Sequence, residues 1–388
     1  MASNGFSVRS QSSAPWLGPE RGRNCKCRAA SSHDLDQSVA RESFLGFGVG
    51  ALVSIWLQFA ACVALIGVAG PELSRSGDVI AEKTGLSRGW IGIVLLASAT
   101  SLPELVVGVS AVTVVGTPDV AIGDAFGSCV FNLVILVVLD FFQRGESVYR
   151  RARQGHVLSG GFGVILIGYA GMSLLLQDRG LGLGIATGHV GIYTPVILLL
   201  YLLAMRTVFR YEREHRGDFA EEIVEHYREI TLRRAVLRYA AAAAVIVGAG
   251  AWLPFVATAL ADVMGWQASF VGTLFVAAVT SLPELVVTLS AFRLGALDMA
   301  ISNLFGSNLF DMAIIAVDDI FFVKGPILSY VSPIHAVSAM SAVIMTGIAI
   351  IGLLYRPQAR LFKAVGWISL SLFVVYLLNS YALYISGQ

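Results

Sequence analysis

The sequence predicts an all-α membrane protein with ten transmembrane helices arranged as two inverted five-helix repeats. Three observations carry this. The 388-residue chain is 56% hydrophobic and only 14% charged, where soluble domains carry about a quarter of their residues charged. Its mean hydropathy is +0.74, and long apolar runs follow one another from residue 43 onward. Finally, Thr-Ser-Leu-Pro-Glu-Leu-Val-Val occurs twice, unchanged, 180 positions apart.

A helix that crosses a bilayer needs about 20 mainly apolar residues. Ten runs meet that length, roughly 44–70, 88–113, 118–142, 156–177, 181–206, 236–260, 267–292, 297–322, 327–354 and 361–384. Helices are required because hydrocarbon offers no partner to unpaired backbone groups. A barrel would instead show short alternating segments. Residues 1–42 are rich in Ser, Arg and Gly without periodicity, which predicts a disordered tail with a basic bias faintly like a transit peptide. The chain therefore divides into a tail (1–42), a first membrane repeat (43–206), a loop (207–235) and a second membrane repeat (236–388). Within the loop, Asp218–Arg234 mixes acids and bases at helical spacing and predicts a short surface helix.

Charge narrows the function. The net charge is +1 with no basic, aromatic-studded stripe, so no nucleic-acid partner is expected. Cys25 and Cys27 lack the further ligands of a zinc site. Cys62 and Cys129 lie in apolar runs and read as packing residues. The absence of a Ser-His, Cys-His or metal-His constellation argues against an enzyme and a resident cofactor. With the N-terminus outside and the runs alternating, 19 of the 27 Lys and Arg residues fall on the cytoplasmic side. Six of the remaining eight lie in the tail. That is a strong positive-inside bias, and it predicts a multi-pass protein of the cytoplasmic membrane in contact with lipid.

The repeat extends beyond its eight identical residues. Asp119 to Asn132 (DVAIGDAFGSCVFN) pairs with Asp298 to Asp311 (DMAISNLFGSNLFD). The copies fall on runs 2–3 and 7–8. Five runs separate them, an odd number, so they cross the membrane in opposite directions and form an inverted repeat.

Glu104 and Glu284 sit well inside apolar runs. A mid-membrane carboxylate costs about 2.5–3.5 kcal/mol on insertion scales, and no Lys or Arg lies at equal depth. A bound cation is the natural counter-charge. The motifs offer carboxylate, hydroxyl and amide oxygens, the donors that hard cations prefer. Pro103 and Pro283 each remove a backbone donor, which predicts helices opened near 99–100 and 279–280. Asp124, Ser128 and Asn132 are spaced by four and share one helix face, as do Asn303, Ser307 and Asp311. Small neighbours, Gly123 and Gly127 or Ser302 and Gly306, let those helices approach closely. Asp140, Asp262, Asp318 and Asp319 lie near run ends and read as interfacial. His189 and His335 read as satisfied packing residues rather than proton relays.

The two segments resemble the alpha repeats of the sodium/calcium exchanger family, through Thr-Ser-Leu-Pro-Glu and Gly-Ser-x-x-x-Asn/Asp, each present twice. The ten-run layout with one loop between runs 5 and 6 is similar too. The resemblance implies an antiporter that exchanges sodium for calcium by alternating access, with runs 1 and 6 sliding past a ligand-bearing bundle. It implies that Glu104 and Glu284 ligate calcium and share sodium, and that Thr100 and Thr280 add oxygens. Ser128, Ser307 and the carbonyls of Ala97 and Ala277 would serve flanking sodium sites. Asn132 and Asp311 would complete the central site, with Ser101 and Ser281 in support. The sequence departs from the family at Asp124 and Cys129, where members usually carry Asn. The extra carboxylate of Asp124 favours one alternative, a calcium or sodium antiporter driven by protons. A cation channel is the weaker alternative.

Overall fold

The computed structural model describes residues 49–143, 146–178, 186–214, 227, 229–264, 276–357, 360–361 and 365–386. The tail, Cys25, Cys27 and most of the charged loop lie outside the described residues, as does the side chain of Asp262. Helices dominate the remainder. They are α1 Val49–Thr84, α2 Arg88–Val115, α3 Pro118–Phe142, α4 Gly155–Asp178 and α5 Tyr193–Glu214. The second half repeats the set with α6 Leu232–Met264, α7a Val276–Thr280, α7b Leu282–Arg293, α8 Leu297–Phe321, α9 His335–Tyr355 and α10 Trp367–Ser386. Among the described residues nine helices are long and apolar enough to cross a membrane. The broken α7a–α7b is the tenth membrane segment. Apart from two short antiparallel strand pairs, Ala186–Thr187 with Val190–Gly191 and Arg360–Leu361 with Val365–Gly366, the described residues are helices and their connections, and the chain is an integral multi-pass membrane protein.

Packing follows the repeat. Helix α1 lies along α6, α4 along α9, α2 against α8, and α3 against α7a. The α8 core window is 89% buried, whereas that of α1 is 17% buried and that of α6 28%. Thus α8 is the axis of the bundle, and the α1–α6 pair is an outer layer with apolar side chains facing outward. Glycine sets the contact between layers. A side chain at Gly250 of α6 would lie 2.5 Å from the Pro103 ring and 3.6 Å from that of Pro283. Its counterpart Gly70, 180 residues earlier, meets Val286 of α7b in the same way.

Several boundaries differ from the sequence reading. Helix α1 runs through Pro71 to Thr84 rather than stopping at 70. Its charged continuation is held by tertiary partners: Asp78 pairs with Arg88 at 2.5 Å, and Glu72 with Arg238 at 3.7 Å. Tyr227 also donates to Asp78 at 3.1 Å. Burial and that neighbouring carboxylate push the Tyr227 phenol up to about 12, so it remains a donor. Helices α5 and α9 start later than runs 5 and 9 because buried Asp319 takes the N–H groups of Gly191 and Ile327 at 2.8 and 2.7 Å. That holds both approaches as loops.

The prolines act unequally. Helix α7 does part, at Ser281, just before Pro283. Helix α2 stays regular over Ala97–Ser110, straight through Pro103, so the opening expected at 99–100 is absent. Irregularity sits one turn earlier, in the π-wound stretch Gly92–Leu96. There the Leu95 carbonyl is taken by the Tyr239 hydroxyl of α6 at 2.5 Å. Single π turns of this kind often mark functional segments.

Candidate functional site

The repeated spacing of the motifs puts their polar side chains on the faces that α2, α3, α7 and α8 turn towards one another. Glu104, Glu284, Asp311, Asn132, Ser128 and Ser307 are all at most 2% exposed, as are Thr100, Thr280, Ser101, Ser281, Asp124 and Asn303. The backbone of Ala97 lies in this region too, with its carbonyl accepting from the Thr100 hydroxyl at 3.3 Å. Ala277 lies in α7a, with its side chain outside the described residues. Close backbone approach makes this possible. A side chain at Gly306 of α8 would lie 2.8 Å from Ala97 Cβ and from Ile93 of α2.

The two halves are stitched across this interface. Ser101 Oγ of the first motif donates to Glu284 Oε1 of the second at 3.1 Å. Ser307 Oγ lies 3.5 Å from the same oxygen and 3.5 Å from Thr100 Oγ1. On the other side, Thr280 Oγ1 donates to Asp124 Oδ1 at 3.0 Å, and Ser281 Oγ lies 3.3 Å from Ser128 Oγ. Glu284, Asp124 and Asp311 are the acids whose charges act on Glu104.

What these bonds leave over points to a cation. Glu104 Oε2, Glu284 Oε2, Asp311 Oδ1, Asn132 Oδ1 and Asn303 Oδ1 are buried and have no hydrogen-bond partner. Buried polar atoms are nearly always satisfied, and these five are all acceptors. They need a donor or a positive ion. Among the described residues no three His, Cys, Asp or Glu side chains form a closed metal cage. Hydroxyls and amides separate the carboxylates. A hard cation that takes six to eight oxygens draws on such a mixed set.

The sequence reading missed several members. Asn308 receives the Asn132 amide at 3.0 Å and donates to the Cys129 carbonyl at 3.3 Å. Cys129 is buried as expected, yet its thiol points at Asp311 Oδ2 from 3.5 Å, so it borders the site rather than merely filling space. Asn303 shares a face with Ser307 but spends its amide on Thr288 at 3.0 Å.

Asp140, Asp318 and Asp319 are fully buried, not interfacial. Asp140 accepts from Ser147 Oγ, Val148 N, Gly366 N and Ser369 Oγ. Asp319 accepts from Gly191 N, Tyr193 Oη, Thr194 Oγ1 and Ile327 N. Each carboxylate ties its helix end to a residue eight positions later and to the start of α10 or α5. The signal was present: Asp140 follows Asp119 by 21 residues, as Asp319 follows Asp298. Both histidines near the bundle ends are also paired, His335 with Asp119 at 3.1 Å and His156 with Asp298 at 2.9 Å. His189 reaches the Ile320 carbonyl at 2.9 Å.

Comparison with known proteins agrees with this picture. The family model described as sodium/calcium exchanger protein matches residues 54–209 and 235–382. The inner membrane protein YrbG of Escherichia coli strain K12 is 24% identical over 320 residues, covering 82% of this chain and 94% of its own. The putative antiporter CaxA of Alkalimonas amylolytica is 25% identical over 241 residues, 60% of this chain and 70% of its own. Among solved structures, the sodium-calcium exchanger NCX_Mj superposes with a TM-score of 0.64 at 19% identity, covering 84% of this chain and 97% of that one. At that identity the likeness speaks for the fold.

Proposed function

Since the chain belongs to the sodium/calcium exchanger family, matched in both halves, we propose that it is a secondary active antiporter exchanging sodium for calcium across the cytoplasmic membrane by alternating access. The observation that carries this reading is the shared carboxylate centre. Glu284 of one half is held by Ser101 of the other, while Glu104 and Glu284 each keep a buried oxygen without a partner.

In this reading Glu104, Glu284 and Asp311 supply up to three negative charges, with Asn132, Thr100, Thr280, Ser128 and Ser307 completing the oxygen sets. The carbonyls of Ala97 and Ala277 serve flanking sodium ions. Several sodium ions or one calcium neutralise the acids, and holding both at once is unfavourable. Competition for one dehydrated site then makes the flux an exchange. The α1–α6 layer slides over Pro103 and Pro283, the contact that Gly250 keeps thin. Ser101 and Ser281 orient carboxylate and hydroxyl across the seam.

One observation favours a second reading. Asp124 stands where the second half has Asn303 and is fully enclosed against Thr280. A carboxylic acid there can carry a proton, which would make proton the driving ion. Uptake of radiolabelled calcium into proteoliposomes separates the two. An outward sodium gradient should drive uptake in the wild type and fail in Glu284→Gln. Uptake driven by a proton gradient without sodium would favour the second reading, and flux without any counter-ion would favour a channel.

A further inference from the structure

Asp318 of α8 is fully buried, and both of its carboxylate oxygens lack a hydrogen-bond partner. Asp140 and Asp319, equally buried, each accept four bonds from neighbouring groups, so the bareness of Asp318 is particular to it. Its head lies against the backbone of α2. A side chain at Gly108 would meet Asp318 Oδ1 at 2.8 Å and its carboxyl carbon at 2.9 Å. Gly108 is one turn beyond Glu104 on the same helix.

Direction matters as well. Helix α8 leaves the cytoplasmic loop at Arg293 and ends at Phe321 before Lys324, on the side away from the basic loops. Asp318 follows Asp311 by seven residues, about 10 Å along a helix. Asp124 lies on the same outer half of α3, two turns before Asn132. The inner half lacks such a carboxylate. There the counterparts of Gly108 and Asp124 are Thr288 and Asn303, the Asn303 amide donating to the Thr288 hydroxyl at 3.0 Å, and the counterpart of Asp318 is Leu139.

We infer that Asp318 forms an additional oxygen-ligand station for the transported hard cation, on the outer side of the central carboxylates, through which the ion passes only in exchange with the outer face. The inference rests on the exchanger reading and adds a one-sided binding site to it. Gly108 makes room for the station by leaving α2 bare beside the carboxylate. A divalent ion entering from outside meets the Asp318 carboxylate before it meets Glu104. An ion entering from the cytoplasm meets a neutral Thr–Asn pair.

The test uses the full chain in vesicles of one orientation, with calcium applied to either face in turn. Asp318→Leu copies the other half and removes a buried carboxyl that no protein group pairs, whose burial is costly to the fold. It should raise the half-saturating calcium concentration at the outer face by about fivefold or more, equivalent to about 1 kcal/mol, and leave the inner face within twofold. Asp318→Asn should do the same. Equal effects at both faces, or none at either, overturn the inference. So does an altered outer pH profile with calcium half-saturation unchanged, which would make Asp318 a proton carrier instead. Equilibrium binding of radiolabelled calcium to solubilised Glu284→Gln keeps the two readings apart. Residual binding that disappears in Glu284→Gln/Asp318→Leu supports the outer station, and residual binding unchanged in the double variant refutes it. If Glu284→Gln transports like the wild type, the exchanger reading itself falls.

Discussion

The two halves of the molecule agree at their ends and disagree in the middle. At one face Asp298 accepts from Arg153 N at 3.1 Å and meets His156 at 2.9 Å. At the other face Asp119 accepts from Ser332 N at 2.7 Å and meets His335 at 3.1 Å. All three positions are shifted by 179 residues. Asp140 and Asp319 obey the same shift and clamp the same backbone position eight residues on. Near the centre, Asn132 faces Asp311, Cys129 takes the place of Asn308, Asp124 that of Asn303, and Gly108 that of Thr288. Helix ends in an inverted repeat meet the same physical problem twice, because each must satisfy a buried carboxylate and a loop. In the exchanger reading the centre has one shared ion site, and two halves facing one cluster of cations need not contribute the same charge.

Glu284→Gln would break the comparison most severely. Removing a carboxylate that both halves share should reduce sodium-driven calcium uptake about a hundredfold or more, the equivalent of roughly 3 kcal/mol. Size-exclusion chromatography and thermal unfolding should show the protein intact. Asp140→Ala and Asp319→Ala test the agreement at the ends. Each should lower stability by about 3 kcal/mol or more, since several charge-assisted bonds are lost and their buried donors stranded. The two losses should match within about 1 kcal/mol, and a large mismatch in denaturation in detergent would show that the clamps are unequal. Asp124→Asn makes the first half like the second. It should change sodium-driven calcium uptake by about tenfold or less, and any uptake that a proton gradient drives without sodium in the wild type should be lost. Ser302→Gly is the mildest change. His156 Nδ1 bonds Ser302 Oγ at 3.2 Å, whereas His335 Nδ1 has no partner because Gly123 stands at the equivalent place. The substitution should cost about 1 kcal/mol of stability and leave the calcium uptake rate unchanged.

Much of the site was legible because the duplicated motif is local. Thr100, Ser101 and Glu104, or Asn303, Ser307 and Asp311, acquire a common face from helical spacing alone. Asp318, Asp140 and Asp319 were misread because nearness to a run end is a poor guide to burial when loops fold back over the helix. Asn308 and Thr288 were missed because their value lies in their partners, which come from distant turns. The extension of α1 past Pro71 was hidden for a similar reason: a charged segment looks like loop until Arg88, Arg238 and Tyr227 are seen holding it.

The amino-acid order by itself determined the class of the molecule. Apolar runs long enough to cross a bilayer compel helices, and an odd count of runs between two copies compels their inversion. Tertiary structure alone decided which buried acids are spent on the frame and which stay available to a cation. A carboxylate's role depends on whether donors from other helices reach it, as four do for Asp319 and none does for Asp318, its neighbour in the chain.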